Sequence, residues 1–300
     1  MTSRGHGKVI LVGEHAAVYG HAALAGALAC GVTLRARASD QLSLDVDGWN
    51  VHVRAGEDHP VARALEAVAR TLGVERAALA GAGDVPPAAG LGSSAALAVA
   101  LSRALAAHRG KALDDAAIED VANSAERCFH GNPSGIDVAV AARGGLGLYR
   151  RGHGLSPIDA APLRILIGLS GQPRSTAAMV ERVAQARAAR TAAVDAELSA
   201  LGDAAQRAAA IVCAPVVDIA ELGEIFTDAH ARLSSLGVSA PVLDAMVAAA
   251  AGAGASGAKL TGGGGGGAVI ALAPGREDAV IAAWRAIGKD GFVTDVGVRA

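Results

Sequence analysis

Two carboxylates, Glu126 and Asp137, flank the turn-forming stretch ERCFHGNPSGID (126–137). Carboxylates converging on such a turn can divide the labour. One holds a hard metal ion, and the other orients an acceptor hydroxyl or takes its proton. A capped surface turn would use the same residues. Cys128 and His130 stand in the same stretch, but two residues apart on a helix they do not face each other. That removes a cysteine–histidine nucleophile. A second stretch, PPAAGLGSSAALAVAL (86–101), places glycines ahead of a helix start. There a polyanion can reach free backbone N–H groups and the positive end of the helix dipole. Ser93 and Ser94 add hydroxyls for a phosphate or for Mg²⁺. No Gly-Lys-Ser/Thr follows, so this is not a Walker loop. The G-x-G-x-x-A spacing also fits a dinucleotide fingerprint. Pro86 and Pro87, however, occupy the place of the strand that should enter such a turn. A small-residue helix start that merely packs tightly is the plain structural alternative.

A third stretch, GKVILVGEHAAVYG (7–20), opens a buried strand with Lys8 and closes it with Glu14 and His15. The chain favours arginine. Its only lysines are Lys8, Lys111, Lys259 and Lys289, and two of these four fall in the stretches singled out here. A compact ammonium serves where a planar guanidinium will not fit. His15 and His21 have no third partner at metal-ligand spacing, which argues against zinc. The fourth stretch, KLTGGGGGGAVIALAPG (259–275), carries six consecutive glycines from Gly262 to Gly267. Only about thirty residues follow, too few for a further domain. AVIALAP reads as a buried strand. The glycines therefore belong to a tight turn inside a domain, where something approaches the backbone closely.

These stretches need a scaffold. KVILVG (8–13) and GVTLRARA (31–38) read as strands, and residues 41–54 as a hairpin turning at Asp47-Gly48. Residues 60–73 read as an amphipathic helix ended by Gly73. The helix within 86–110 is apolar almost all round and must be buried. Residues 113–131 give a further helix, with Asp114 as N-cap and Gly131 beyond its end. Residues 132–137 read as a turn, the segment after it as a lead into strands, and 163–171 as a buried strand. From Ser175 to about Ala255 the pattern is nearly all helical, broken near Pro215, Gly237 and Pro241. A strand, a helix (276–288) and a last strand (291–298) close the chain. The shift toward helix near residue 155 predicts a domain boundary there.

Composition narrows the function. At 300 residues, 52% hydrophobic and 19% charged, the chain has ample core for one large or two ordinary domains. A net charge of −2 and 2% aromatics argue against nucleic acid. Cys30, Cys128 and Cys213 are odd in number and widely spaced, which suits a reducing cytoplasm rather than a disulfide framework. The apolar run VILVG is too short for a signal peptide. No uncharged stretch reaches the ~20 residues of a membrane span.

Taken together and in order, the four stretches resemble the signature motifs of the GHMP kinases, and within that superfamily those of the mevalonate kinases. GQPRSTAAMV (171–180) and SLGVSAPVLDAMV (235–247) resemble their C-terminal half. The resemblance implies an α+β, two-domain GHMP kinase fold. Residues 1–155 would form an N-terminal ribosomal-protein-S5-like α/β domain, and 156–300 a C-terminal ferredoxin-like α+β domain, with the active site between them. The implied activity is ATP-dependent phosphorylation of the 5-hydroxyl of mevalonate to 5-phosphomevalonate, on the route to isoprenoids in the cytoplasm. Its cofactors would be ATP and Mg²⁺. Its partners would be small molecules alone, with neither nucleic acid nor membrane, and a homodimer is compatible.

By the same resemblance Pro87, Gly90, Leu91, Gly92, Ser93, Ser94 and Ala95 would wrap the nucleotide phosphates, together with Gly263 and Gly264. Ser94 and Glu126 would hold the metal. Asp137 would act as base, and Lys8 would keep it ionised. Glu14, His15, Arg174 and Thr176 would serve the acceptor side, with Arg174 a partner for a carboxylate. The glycine run would then pack beside the phosphate loop. Two departures stand out: Val138 replaces a common asparagine, and Gly263 a common alanine. The alternatives are a phosphomevalonate, homoserine or sugar kinase, a catalytically silent nucleotide-binding paralogue, and a Rossmann oxidoreductase.

Overall fold

A computed structural model describes residues 3–130, 135–173 and 175–299. The chain begins with β1 (Ser3–Val12) and, after a one-turn 3-10 helix (Ala16–Tyr19), β2 (Ala23–Arg37). β2 runs 15 residues and organises the sheet. One edge of β2 pairs with β1. Its other edge is divided along its length. Residues 23–26 pair with β6 (Leu146–Arg150), Leu28 meets Val296 of β11 (Asp290–Val296), and residues 32–37 pair with β5 (Ala77–Gly83). One long apolar strand thus joins the two halves of the chain.

Outward from β5 lie β3 (Leu42–Asp47) and β4 (Val51–Arg54), the expected hairpin. β3 and β5 are parallel, with β4 and α1 (Pro60–Leu72) between them in sequence. Gly73 ends α1 in the left-handed conformation, where glycine is preferred. β7 (Gly154–Ile158) pairs with β6. On the other side β11 pairs with β8 (Leu163–Leu169), then come β10 (Ala268–Leu272) and β9 (Gly257–Thr261). The strands at 77–83 and 257–261 went unread in the sequence. The first is alanine and glycine but for one leucine, and the second has only Leu260 and Thr261 as strand-favouring residues, so both carry little strand signal.

α2 (Ser93–His108) is buried almost throughout, as its all-round apolar pattern requires. It lies so close to β1 that a Cβ at Gly5 would stand 2.1 Å from Ala96 O. α3 (Asp115–Phe129) starts at Asp114, whose Oδ1 accepts from Ala117 N at 2.8 Å. Gly131 lies outside the described residues. α4 (Ile136–Arg143) begins within the expected turn; it is short and mostly apolar, which leaves little helical periodicity to read. The helical C-terminal stretch comprises α5 (Thr176–Ala189), α6 (Thr191–Val212), α7 (Ile219–Ser235) and α8 (Pro241–Gly252). Its breaks fall where proline and glycine placed them, with one more at Arg190. α9 (Glu277–Ala286) precedes β11. Among the described residues no helix is long and apolar enough to cross a membrane.

Candidate active site

β1 carries Lys8 into the interior, where the residue is 3% exposed. The pairing with β2 shifts register between His6 and Lys8. The Lys8 N–H points away from β2 and donates to Leu91 O at 2.7 Å. The glycine-rich loop before α2 is thereby fastened to β1. Gly92 closes it in the left-handed region at φ 71°, where a Cβ would stand 3.0 Å from Lys8 Cβ. The positive φ favours glycine there, and Lys8 leaves little room for a side chain. Leu91 and Ala95 are buried, Gly90, Ser93 and Ser94 are half-buried, and Pro87 is exposed. The open N-terminus of α2 therefore faces outward beside Lys8.

Lys8 Nζ lies 2.8 Å from Asp137 Oδ1. Asp137 sits in the first turn of α4, after Gly135 in the left-handed region at φ 83°. A carboxylate there is favoured by the helix dipole. Glu126, in the last turn of α3, is 2% exposed. Burial pushes its carboxyl up to about 7; the Ser94 hydroxyl pulls it back, the Asp137 charge raises it, and Lys8 lowers it. The structure thus brings Lys8, Ser94, Glu126 and Asp137 within electrostatic reach of one another. His130 Nε2 lies 3.4 Å from Ser94 Oγ. Cys128 instead donates its thiol to Ser124 O at 3.6 Å, away from any base.

These residues fit a hard cation. Glu126 Oε1 is buried with no hydrogen-bond partner among the described residues. Such an oxygen costs free energy unless something fills the place. Ser94 offers a second oxygen. Among the described residues no three His, Cys, Asp or Glu converge. That sparse donor set suits Mg²⁺, which takes one or two protein ligands together with phosphate oxygens and water.

The glycine run is a tight turn whose backbone is closely approached, as its composition predicts. A Cβ at Gly264 would stand 2.0 Å from Val238 O, one at Gly266 2.7 Å from Gln172 O, and one at Gly265 3.0 Å from Met179 Sδ. The close neighbours at these positions are loops and a helix of the C-terminal half. Gly263 faces Thr176, with 3.2 Å from a Cβ to Oγ1. Thr176 opens α5 and is exposed. His15 bridges to the run, its Nε2 lying 3.0 Å from Gly263 O. Glu14 is 1% exposed and ion-paired with Lys259 of β9. Arg174 lies outside the described residues.

Comparison with known proteins identifies the family. Residues 59–145 match the GHMP kinases N terminal domain, and residues 203–290 the GHMP kinases C terminal domain. The chain belongs to the GHMP kinase family. It is 33% identical to the mevalonate kinase of Pyrococcus horikoshii over 96% of this chain and 93% of that one. It is 35% identical to that of Aeropyrum pernix over 89% and 86%. Its fold superposes on the crystal structure of L. major mevalonate kinase in complex with R-mevalonate with a TM-score of 0.88 and 28% identity, covering 100% of this chain and 97% of that one. The two-domain α+β kinase fold expected from the motifs is the fold observed, and family membership implies ATP as phosphoryl donor.

Two residues of this GHMP kinase escaped the sequence reading. Tyr149 of β6 is buried, and its phenol is raised by burial and further by the Asp137 charge, against Arg151. A lone tyrosine in a strand carries no signal in a single sequence. Lys259 stands out in the sequence only as one of four lysines, and its pairing with Glu14 has no local signal.

Proposed function

We infer that this kinase transfers the γ-phosphoryl group of ATP to the 5-hydroxyl of mevalonate. The observation that carries the reading is the 2.8 Å pair of Lys8 Nζ and Asp137 Oδ1, set beside the N-terminus of α2. The identity to mevalonate kinases over nearly the full chain supports the acceptor. The compartment we assign is the cytoplasm, and the route the one from mevalonate to isoprenoids.

In this reading the N–H groups and hydroxyls from Gly90 to Ala95 hold the nucleotide phosphates, with Pro87 at the rim of the loop. Gly263 and Gly264 line the side contributed by the C-terminal half. Asp137 accepts the proton of the acceptor hydroxyl. The oxygen so freed bonds to the γ-phosphorus as the bond to the ADP oxygen breaks. Phosphoryl transfer asks the protein mainly for positioning and charge neutralisation. Lys8 supplies both, holding the Asp137 side chain in place and favouring the developing alkoxide. Ser94 and Glu126 would hold Mg²⁺, which when bound neutralises phosphate charge. His15, Glu14 and Thr176 border the acceptor side, and Arg174 is the proposed partner of a substrate carboxylate.

The test is turnover by the purified protein with ATP and Mg²⁺ on a panel of mevalonate, phosphomevalonate, homoserine and galactose. ADP release dependent on mevalonate is expected. Turnover on another member of the panel, with none on mevalonate, would reassign the acceptor and leave the family standing.

A further inference from the structure

Residues 259, 261 and 263 meet the N-terminal half in three successive contacts. Lys259 Nζ donates to Glu14 Oε1. Thr261 Oγ1 donates to Ile10 O at 2.9 Å and accepts from Ile10 N at 3.3 Å. His15 Nε2 lies 3.0 Å from Gly263 O. The segment leading into the glycine run is thus laced along the free edge of β1 and the turn that follows it. The Lys259–Glu14 pair is the buried rung, with both side chains 0% exposed.

That rung is poorly made for stability. Lys259 Nζ has one further acceptor, Leu260 O at 2.7 Å, and lies 5.9 Å from the centre of the Phe226 ring. Glu14 Oε2 has no hydrogen-bond partner among the described residues. A buried ion pair with an unsatisfied oxygen is commonly no better than two well-packed apolar residues. Its distinctive property is direction. An ammonium fixes a carboxylate at one place, whereas an apolar contact tolerates sliding. The residue so fixed precedes His15, a non-glycine at φ 60° and ψ −39°. Such a backbone persists only when its surroundings hold it. Here the holders are the Glu14–Lys259 pair on one side and Gly263 on the other.

We propose that Lys259 is a positioning residue for phosphoryl transfer: through Glu14 it seats residues 14–15 against the glycine run and so fixes the acceptor side of the site. It touches no reacting atom. The inference rests on the assignment of residues 14–15 to the acceptor side.

The experiment uses Lys259→Met in the full chain, with two readouts. Hydrogen exchange should quicken together in residues 13–20 and 262–267, while the centres of β8 and β10 keep their protection. With whichever alcohol the wild type phosphorylates, KM for that alcohol should rise at least about tenfold. Wild-type turnover on mevalonate reports separately on the functional reading, and the exchange readout needs no acceptor. A lower melting temperature with unchanged exchange in both segments and unchanged KM would make Lys259 a structural filler and overturn the proposal. Should Lys259→Met fail to fold, Glu14→Gln/Lys259→Met removes the bare charge. Faster exchange at 262–267 in that folded variant is expected, and wild-type protection there overturns the proposal equally.

Discussion

Lys8 and Asp137 form a close ion pair with unequal exposure: the lysine side chain is 3% exposed and the aspartate 33%. The buried member is held by the sheet, and the open member sits in the first turn of α4. A purely structural pair gains nothing from that asymmetry. A base that must meet an incoming hydroxyl needs it. Asp137→Asn keeps the shape and removes the proton acceptor, so kcat should fall by roughly 10²–10⁴-fold. ATP affinity should be nearly unchanged. Lys8→Met should also lower kcat, and the double variant should lose much less than the product of the two single losses. Near-normal kcat in Asp137→Asn would leave it as a helix-end residue only.

The Glu126 carboxyl predicts a pH dependence of stability. Folded, it keeps its proton to about pH 7; its ordinary value is 4.5. Between those values the folded chain binds more protons than the unfolded chain, so this group makes stability fall as pH rises through the window. The cost is fully present above about pH 7, on the order of 1–3 kcal/mol. In chelator-treated protein, Glu126→Gln should therefore melt above wild type at pH 8 and close to it at pH 4.5. Melting curves of the two proteins that stay parallel across this range would contradict the raised carboxyl.

Ser94 and Glu126 are the proposed ligands of a cation. Direct Mn²⁺ binding in the presence of a non-hydrolysable ATP analogue should weaken in Ser94→Ala and in Glu126→Gln, each by about tenfold or more. The spectroscopic signal of bound Mn²⁺ reads this without turnover. Unaltered Mn²⁺ affinity in either variant would remove that residue from the metal site.

The fold class was legible in the sequence through its motifs, and the candidate site through its residue types. Glycine, serine and carboxylate types at 90–95, 126 and 137 suggest phosphate and metal chemistry because few side chains can do it. The pairing of Lys8 with Asp137 came only through resemblance, since they lie 129 positions apart and nothing local joins them. Lys259 and Glu14 show the limit more sharply. Their partnership depends on how β9 meets the exit of β1, and neither residue has a sequence neighbour that hints at it. α4 was missed because eight mostly apolar residues after a glycine fit a strand as well as a helix. The glycine run was read rightly as a close approach. Its partners, the loops at 172 and 238, could not be named before the chain was folded.

The run makes a discriminating prediction within two adjacent residues. Gly264 has φ 79° and its Cβ would stand 2.0 Å from Val238 O, a backbone atom that cannot swing aside. Gly265 N also donates to that carbonyl at 2.8 Å, so moving it breaks a hydrogen bond. Gly264→Ala should therefore destabilise the chain by on the order of 3 kcal/mol or more, combining left-handed strain with overpacking. Gly263 is not in the left-handed region, and its Cβ would lie 3.2 Å from Thr176, which opens an exposed helix start. A shift of a few tenths of an ångström there accommodates a methyl group, so Gly263→Ala should cost no more than about 1 kcal/mol. Thermal melts of the two variants check this side by side. Gly264→Ala should melt at least about 5 °C below wild type, and Gly263→Ala within about 3 °C. Equal melting temperatures for the two variants would mean that the run is glycine for the sake of a ligand rather than for the packing of its own loops.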